Sequence, residues 1–308
     1  MATIVISEFM DEPAVAVLRA RHTTSYAPDL VDDRQALLAA LGEARAVVVR
    51  NRTRVDAEIL AAAPNLGVVG RLGVGLDNID LEACRARGIQ VIPASGANDL
   101  AVAEYVVTTA AVLLRGAYFA NAAMLDGQWP RQQAMGHELA GKTLGLIGLG
   151  AIARLVKAKL QALGLQVAAF DPYVPNGDPA WDGVVKLELE ALLTTADIVS
   201  LHVPLDQTTR NLIDARAIAL MRPGAILVNA ARGGIVDEAA VATALRAGRL
   251  GGAALDVFAS EPLSPEAAAV FRDTPNLILT PHIAGVTVES NQRVSMLIAE
   301  KVLEALDG

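Results

Sequence analysis

The chain has 308 residues and a formal net charge of −8 at pH 7, and 53% of its residues are hydrophobic but only 4% aromatic. This composition is typical of a globular protein with an aliphatic core, and the length allows one large domain or two medium ones. The acidic balance argues against a general nucleic-acid binder, and the single cysteine, Cys84, excludes an intrachain disulfide.

Short aliphatic runs alternate with segments of helical spacing along almost the whole chain. The predicted strands cover residues 3–7, 46–50, 67–71, 89–93, 142–148, 166–170, 196–203, 225–230, 251–257 and 276–280. They are apolar on both faces, as parallel strands covered by helices are. Helical patterns follow at residues 32–44, 56–64, 80–88, 151–164 and 237–248. This alternation predicts a doubly wound parallel α/β architecture.

Two longer helices are predicted, from about residue 99 to 125 and from about residue 288 to 306. Because a complete run of strands lies between them, the economical interpretation is two α/β domains, the second inserted into the first. We predict an outer domain of residues 1–97 plus 283–308 and an inserted domain of residues 98–282. No signal-peptide pattern opens the sequence and no apolar segment suits a membrane span, so we expect a cytoplasmic protein.

A glycine-rich turn carries the most specific chemical prediction. The strand at 142–148 runs into GLGAIA (148–153), and a helical pattern follows at once. Gly148 permits the tight turn, and Gly150 lets the backbone approach a pyrophosphate at the helix N-terminus. The next predicted strand leads into Asp171, whose carboxylate can accept hydrogen bonds from a ribose and would repel a 2′-phosphate. The pattern therefore predicts NAD, in preference to NADP, as cofactor.

Three ionisable residues follow later predicted strands: Arg232, Glu261 and His282. Ligands of an open α/β sheet bind outside the carboxyl ends of its strands. A guanidinium can hold a substrate carboxylate, and a histidine paired with a carboxylate can give a ketone oxygen its proton. The set favours reduction of a 2-keto acid by hydride. On spacing alone His202, which also ends a strand, is an equal alternative to His282.

Seven stretches strongly resemble motifs of the D-isomer-specific 2-hydroxyacid dehydrogenase family, in that family's order. They are GRLGVGLDNID (70–80), PASGANDLAVAEYV (93–106), GKTLGLIGLGAIA (141–153), LHVPLDQTTRNLI (201–213), NAARGGIVDE (229–238), AALDVFASEPL (253–263) and TPHIAGVT (280–287). The resemblance implies a Rossmann NAD-binding domain inserted into a flavodoxin-like substrate-binding domain. It also implies an NAD-dependent oxidoreductase of D-type 2-hydroxyacids, and a homodimer formed in part by the long helix after Asn98.

The resemblance also assigns roles that spacing leaves open. It implies that Arg232 orients the substrate, Glu261 is the acidic partner and His282 is the acid/base, which leaves His202 a conformational or cofactor-side role. Together with the glycine-rich turn, it predicts cofactor binding by Val74, Gly148, Gly150, Ala151, Ile152, Asp171, Val203, Ala230, Ala231, Asp256 and Gly285. Substrate binding is predicted for Arg50, Arg71, Leu72, Gly73, Val74, Asn98 and Arg232. Residues 72–74 would offer backbone N–H groups to the substrate carboxylate, and Asp256 would receive the nicotinamide carboxamide.

The stretch RNRTR gathers Arg50, Arg52 and Arg54 on an acidic chain. In extended form the three side chains would share one face. Phosphoglycerate dehydrogenases of the family carry arginines at the positions of Arg50 and Arg71, so the resemblance implies a second anion on carbon 3 of the substrate. Arg52 would help, and Arg54 is expected to be solvated or paired with a nearby carboxylate.

The exact substrate stays open between several members of the family. The (S)-sulfolactate dehydrogenase subgroup is similar in RNRTRV, GRLGVGLDNID and GANDL, and we favour its substrate. D-3-phosphoglycerate dehydrogenase and hydroxypyruvate or glyoxylate reductase are the alternatives. From outside the enzymes, an NAD-sensing corepressor is the competing hypothesis. We expect no metal, nucleic-acid or membrane partner.

Overall fold

The structure is a computed structural model that describes residues 3–308. These residues divide into two compact units, residues 3–98 with Val286–Gly308, and Asp99–Gly285. The sequence predicts divisions at 97/98 and at 282/283. Within the described chain no single helix is long and apolar enough to cross a bilayer; Asp99–Arg115 and Ala117–Leu125 meet the length and composition criteria only as a pair bent by 61°.

Strands and helices alternate along the chain. In order they are β1 (Ile4–Ile6), α1 (Glu12–Arg19), β2 (Thr24–Tyr26), α2 (Arg34–Ala40), β3 (Ala46–Val49), α3 (Ala57–Ala62), β4 (Val68–Arg71), α4 (Leu81–Ala86), β5 (Gln90–Pro93), α5 (Asp99–Arg115), α6 (Asn121–Leu125), β6 (Thr143–Ile147), α7 (Ala151–Ala162), β7 (Gln166–Phe170), β8 (Val185–Lys186), α8 (Leu189–Thr195), β9 (Ile198–Leu201), α9 (Ala215–Leu220), β10 (Ala225–Asn229), α10 (Glu238–Arg246), β11 (Leu250–Leu255), α11 (Pro265–Ala268), β12 (Leu277–Leu279) and α12 (Val288–Asp307). Short 3₁₀ turns lie at Pro28–Asp32, Ala117–Ala120, Pro179–Trp181 and Ala269–Phe271.

The first unit is a five-stranded parallel sheet in the order β2-β1-β3-β4-β5. Apolar side chains of α1 and α12 pack on one face of this sheet, and those of α2, α3 and α4 pack on the other. Asp33, Asp56 and Asp80 cap the N-termini of α2, α3 and α4 with their side chains, which explains why Asp marked the helix starts. The strand order is that of flavodoxin-like sheets.

The second unit is a seven-stranded parallel sheet in the order β12-β11-β10-β9-β6-β7-β8. The chain leaves β6 toward β7 and β8 on one side and then returns to place β9 on the other. The order in which the chain adds strands therefore reverses between β6 and β9, and such a switch point is where Rossmann folds bind their ligands. Helices α5 and α7 pack on one face, and α8, α9 and α10 on the other. The predicted fold class is confirmed.

Two short strands and one helix break differ from the sequence prediction. Strands β2 and β8 were not predicted, because both are edge strands with half-buried or exposed side chains rather than apolar runs. The single helix predicted for residues 99–125 is wrong. Helix α5 ends at Arg115, because Gly116 takes a left-handed φ of 65°, and a 3₁₀ turn leads into α6.

Candidate active site

The glycine-rich turn leaves open space in front of a helix. Gly148 has a φ of 91°, and a Cβ there would lie 2.5 Å from the carbonyl oxygen of His202. Gly150 is the N-cap of α7, and a Cβ added to it would meet nothing within 4 Å. Ala151 and Ile152 begin α7, so their N–H groups belong to the helix's unsatisfied first turn. The turn fits a pyrophosphate at the helix N-terminus.

Asp171 follows β7 and holds the glycine-rich turn in place. Its Oδ2 accepts the N–H of Leu149 at 2.8 Å, while Oδ1 accepts the N–H groups of Tyr173 at 2.9 Å and Val174 at 3.2 Å. An ionised carboxylate offers about four acceptor positions, so these three bonds leave capacity for a ribose hydroxyl. Asp171 thus has a structural role that the sequence did not show, and its ribose role stays a prediction.

Glu261 and His282 form a hydrogen-bonded pair. Glu261 Oε2 lies 2.7 Å from His282 Nδ1, and its Oε1 accepts the N–H of Phe258 at 2.9 Å. Because an ionised carboxylate only accepts, Nδ1 carries a proton and Nε2 is left to exchange one. Burial acts to raise the pKa of Glu261, but the bonds from His282 and Phe258 and the charge of Arg232 lower it overall. His282 is 48% exposed, so its ring remains accessible.

Asp256 holds the backbone around His282. It is 1% exposed, and its Oδ1 accepts the hydroxyl of Thr280 at 2.6 Å and the N–H of Ile283 at 2.8 Å, while Oδ2 accepts the N–H of Ala284 at 2.8 Å. The N–H of His282 donates to the Asp256 carbonyl at 2.8 Å. These bonds maintain a φ of 56° at His282, a strained value for a residue with a side chain. The nicotinamide role of Asp256 stays a prediction.

A tyrosine on α5 supports this arrangement. The Tyr105 hydroxyl lies 2.6 Å from Thr280 Oγ1. Since the Thr280 proton goes to the Asp256 carboxylate, Tyr105 must donate its own proton to Thr280. Burial raises the pKa of Tyr105 to about 12, which keeps that proton in place. Neither Tyr105 nor Thr280 was among the predicted site residues.

Arg232 lies in a loop that packs against the loop of Glu261. Buried Asn229, at the end of β10, shapes the turn by donating from Nδ2 to the Arg232 carbonyl at 3.0 Å and accepting the N–H of Ala231 at 3.1 Å. A Cβ on Gly233 would lie 1.7 Å from the carbonyl oxygen of Phe258, so this contact requires glycine. Arg232, half-buried, donates from Nη1 to the Ala231 carbonyl at 2.7 Å.

His202 differs from His282 in its surroundings. Its Nε2 lies 2.9 Å from Ser200 Oγ, and burial lowers the pKa of His202 to about 4. An imidazole with that pKa is neutral near pH 7 and is a poor match for proton transfer there. The structure thus favours His282 where spacing alone did not decide.

Other predicted cofactor residues also lie in the second unit. Val203 and Ala230 follow β9 and β10, at the carboxyl ends of these strands, and Gly285 is the last residue of the unit.

The predicted carboxylate-binding backbone lies in the first unit, after β4. Contrary to expectation, the N–H of Leu72 donates to the Val49 carbonyl at 2.8 Å, and that of Gly73 donates to the Arg71 carbonyl at 2.7 Å. Leu72 is also buried, because β4 continues its pairing with β3 for one residue. Two of the three expected donors are therefore engaged within the unit. Val74 is 41% exposed.

Two polar side chains of the same unit remain compatible with ligand binding. Arg71 ends β4, and its Nη1 donates to the Leu72 carbonyl at 2.7 Å. Asn98, the last residue before the second unit, has a buried Oδ1 with no hydrogen-bond partner. Buried acceptors are seldom left unsatisfied, so Asn98 calls for a water or a ligand donor.

The three arginines of RNRTR do not form a comb. Strand β3 ends at Val49, so the alternation of an extended strand does not apply to them. Arg52 forms an exposed ion pair with Asp32. Arg54 is exposed, and the neighbouring carboxylates of Asp56 and Glu58 form ion pairs with Arg34 instead. Exposed pairs of this kind contribute little to stability.

Arg50 is different from its two neighbours. It is half-buried, its Nη2 donates to Asn291 Oδ1 at 3.0 Å, and its guanidinium lies 6.0 Å from the centre of the Phe9 ring. Burial lowers the pKa of Arg50, and the negative charge of Glu8 acts against that effect. Within residues 3–308 no carboxylate forms an ion pair with Arg50. Its charge is therefore available to an anion.

The second unit, with its open glycine-rich turn and its Arg, Glu and His at strand ends, defines a dinucleotide-dependent oxidoreductase. The model of the D-isomer specific 2-hydroxyacid dehydrogenase NAD-binding domain matches residues 107–284. The chain belongs to the D-isomer specific 2-hydroxyacid dehydrogenase family, its cofactor is NAD, and it acts on hydroxyacids. In the described part of the chain no three His, Cys, Asp or Glu side chains cluster as metal ligands.

Relatives agree with this assignment over most of the chain. An (S)-sulfolactate dehydrogenase of Chromohalobacter salexigens is 55% identical over 307 residues, covering 99% of both chains. A D-3-phosphoglycerate dehydrogenase of Mycobacterium tuberculosis is 44% identical over 90% of this chain, which spans about half of that relative (52%). A crystal structure of a Thermus thermophilus protein superposes with a TM-score of 0.90 at 33% identity, covering 99% of this chain and 97% of its own.

Proposed function

We propose that the substrate is a D-type 2-hydroxyacid with a second anion on carbon 3, and that this acid is (S)-sulfolactate. The observation that carries the proposal is Arg50, a half-buried guanidinium that has no carboxylate partner among the described residues. A desolvated cation gains most from an anionic ligand, because the local dielectric is low. The 55% identical relative named (S)-sulfolactate dehydrogenase supports the same substrate.

The geometry of the second unit supports the catalytic roles that we propose. When bound, NAD would accept the hydride of the substrate in oxidation, and NADH would supply it in reduction. Arg232 holds the substrate carboxylate, as a guanidinium fork does best. His282 Nε2 takes the proton of the substrate hydroxyl in oxidation and returns it in reduction, while Glu261 fixes the ring tautomer and stabilises the imidazolium. Such acid–base help contributes about 10²- to 10⁴-fold.

A phosphorylated substrate is the second candidate, favoured by the phosphoglycerate dehydrogenases among the relatives. A sulfonate and a phosphate share tetrahedral oxygens, but a phosphate carries about −1.5 to −2 charges at pH 7 and a sulfonate one. Arg50 lies close enough to Glu8 for that carboxylate to influence its charge state. Because the negative charge of Glu8 offsets part of the positive charge of Arg50, this surrounding suits the single charge of a sulfonate better.

Steady-state turnover with a substrate panel tests the proposal. The panel is sulfolactate, 3-phosphoglycerate, hydroxypyruvate, glyoxylate and D-lactate, each measured with wild type, Arg50→Ala and the exposed control Arg54→Ala. Loss of a charge-assisted hydrogen bond costs about 1.5–3 kcal/mol, so Arg50→Ala should lower kcat/KM for sulfolactate about 10- to 100-fold and spare glyoxylate. Equal losses on all substrates contradict the proposal. No turnover with any of them would favour the corepressor hypothesis.

We further propose that the enzyme is a cytoplasmic homodimer. Large apolar side chains are exposed between the end of α5 and β6, at Tyr118, Phe119, Met124, Leu125, Trp129 and Met135. So many exposed apolar side chains within one segment are unusual on a monomer, and a second copy of the chain would cover them. Sedimentation of wild type and of Leu125→Glu, which is 88% exposed in the single chain, tests this. A monomeric wild type overturns it.

A further inference from the structure

A buried carboxylate organises the loop that carries Arg50. Glu8 follows β1 and is only 4% exposed. Its Oε1 accepts the N–H groups of Arg50 at 2.8 Å and Thr53 at 2.9 Å, and its Oε2 accepts that of Arg52 at 3.1 Å. Three backbone donors of one short loop therefore converge on a single side chain that lies 42 positions or more away in the sequence.

The loop requires this charge. Converging backbone N–H groups form a concave nest that attracts an anion, and Glu8 provides that anion from within the protein. Three charge-assisted bonds offset the cost of burying the carboxylate. A glutamine in the same place would present an amide NH₂, a donor, to at least one of the three donors. The bond between Ser7 Oγ and Thr53 Oγ1, at 3.0 Å, fixes the far end of the loop.

The guanidinium of Arg50 is held from two other directions. Phe9, the neighbour of Glu8, places its ring 6.0 Å from the guanidinium carbon, and Asn291 of α12 accepts from Nη2 at 3.0 Å. The backbone of Arg50 is thus fixed by Glu8 and its side chain by Phe9 and Asn291. Side-chain entropy of an arginine, about 2 kcal/mol, is lost in the folded protein before any ligand arrives.

We propose that Glu8 is a positioning residue for substrate specificity, which holds the Arg50 loop so that the guanidinium is preorganised for the second anion of the substrate. The proposal rests on the proposed binding of that anion by Arg50. A residue of purely structural importance would lower turnover of all substrates alike. A positioning residue raises KM for the anionic substrate and leaves a small keto acid unaffected.

The test compares Glu8→Gln, Glu8→Asp, Phe9→Leu and Arg50→Ala with wild type and with Asp32→Asn, which removes the exposed partner of Arg52. For each, kcat and KM are measured with sulfolactate and with glyoxylate or hydroxypyruvate, whichever wild type reduces faster. Thermal melts and urea unfolding report whether the first unit, which holds Glu8, Phe9 and Arg50, is folded in each variant. We expect Glu8→Gln to raise KM for sulfolactate about tenfold and the KM of the small keto acid less than twofold. Asp32→Asn should match wild type.

Glu8→Asp keeps the charge on a shorter side chain, so it should restore part of the selectivity that Glu8→Gln loses. Phe9 is 50% exposed, so Phe9→Leu folds whatever becomes of the Glu8 variants, and it should show a smaller loss of the same selective kind. Suppose that Arg50→Ala loses sulfolactate turnover selectively but Glu8→Gln does not. This inference is then overturned and the proposed function stands. If Glu8→Gln does not fold, the absence of a selective loss in Glu8→Asp and Phe9→Leu overturns the inference in the same way. If Arg50→Ala is itself unselective, the proposed function fails first.

Discussion

Glu261 and His282 are joined by a 2.7 Å hydrogen bond, and each is also fixed independently of the other. Glu261 is held by the N–H of Phe258, and His282 by its own N–H on the carbonyl of Asp256. Because both ends are anchored in the backbone, the pair does not depend on a ligand to form. The imidazole therefore meets a substrate already in the tautomer that leaves Nε2 available.

Replacing His282 by alanine should remove the proton donor without disturbing cofactor binding. The side chain is 48% exposed and its loop is held by Asp256, so the protein should fold and titrate with NADH as wild type does. Turnover should fall about 10²- to 10⁴-fold, the contribution of general acid–base catalysis. A near-normal kcat would exclude His282 as the proton donor and favour His202 in that role.

Glu261→Gln should change how stability depends on pH. The folded protein holds the pKa of Glu261 below its ordinary value of 4.5. A carboxylate with a lowered pKa contributes stability above pH 4.5, and that contribution is lost as the pH falls through the lower, folded value. The difference in unfolding free energy between wild type and Glu261→Gln should therefore be smaller at pH 3.5 than at pH 5. Urea titrations at these pH values measure it, and a constant difference contradicts the pairing.

The two glycines of the cofactor turn should respond differently to alanine. Gly148 has a positive φ and no room for a Cβ, so Gly148→Ala should lower the unfolding free energy by about 3 kcal/mol or more. Gly150 has a φ of −70° and open space around it, so Gly150→Ala should unfold within about 0.5 kcal/mol of wild type. The Kd of this variant for NADH should nevertheless rise at least tenfold, which corresponds to about 1.4 kcal/mol, because the added methyl group would displace the pyrophosphate. Unchanged binding by Gly150→Ala would place the pyrophosphate elsewhere.

Asp171→Ala should weaken NAD binding for two reasons. It removes a ribose acceptor, and it also frees the N–H of Leu149 in the glycine-rich turn. We expect KM for NAD to rise about tenfold and the preference for NAD over NADP to narrow. Asp182→Ala, which removes an exposed carboxylate further along the chain, is the matched control. A preference ratio that does not move would exclude Asp171 from the ribose site.

Tyr105→Phe should loosen the strained loop of His282 without touching the substrate. The change removes one buried donor to Thr280 and should cost about 1 kcal/mol of stability. Because Thr280 continues to donate to Asp256, kcat should fall only a few-fold while KM for NAD is unchanged. Thermal melts and steady-state kinetics report both effects, with Tyr118→Phe, 65% exposed, as control. A loss of NAD affinity instead of kcat would give Tyr105 a different role.

The sequence predicted the parts of the fold that are determined by local apolarity. Buried strands such as β6 and β10 are continuous aliphatic runs, and Asp caps marked several helix starts, so their positions followed from short windows. The edge strand β8 has two exposed residues and no such pattern. Nothing in the windows around Gly116 predicted that its φ would end α5 ten residues before the expected position.

In the candidate active site, too, features set by local sequence were predictable and long-range contacts were not. Glycine spacing predicted the cofactor turn. Strand ends predicted Arg232, Glu261 and either His282 or His202, and the family resemblance favoured His282. Hydrogen bonds between residues distant in the sequence could not be predicted, because no local pattern pairs Tyr105 with Thr280, which lies 175 positions away. The same holds for Glu8, whose partners begin 42 positions later, and for the backbone bond that engages the N–H of Leu72.

The last helix sets an order of events during synthesis. Val294, Ile298 and Val302 of α12 are buried against β1, β3 and β4, so the part of that sheet face that α1 does not cover stays open until these residues leave the ribosome. The second unit ends at Gly285 and is translated in full before then. Domains fold as units while the chain is made, so the inserted unit can reach its native state first. Until α12 packs, the chain carries its nucleotide-binding unit beside a partly open aliphatic sheet, a form that a chaperone would bind.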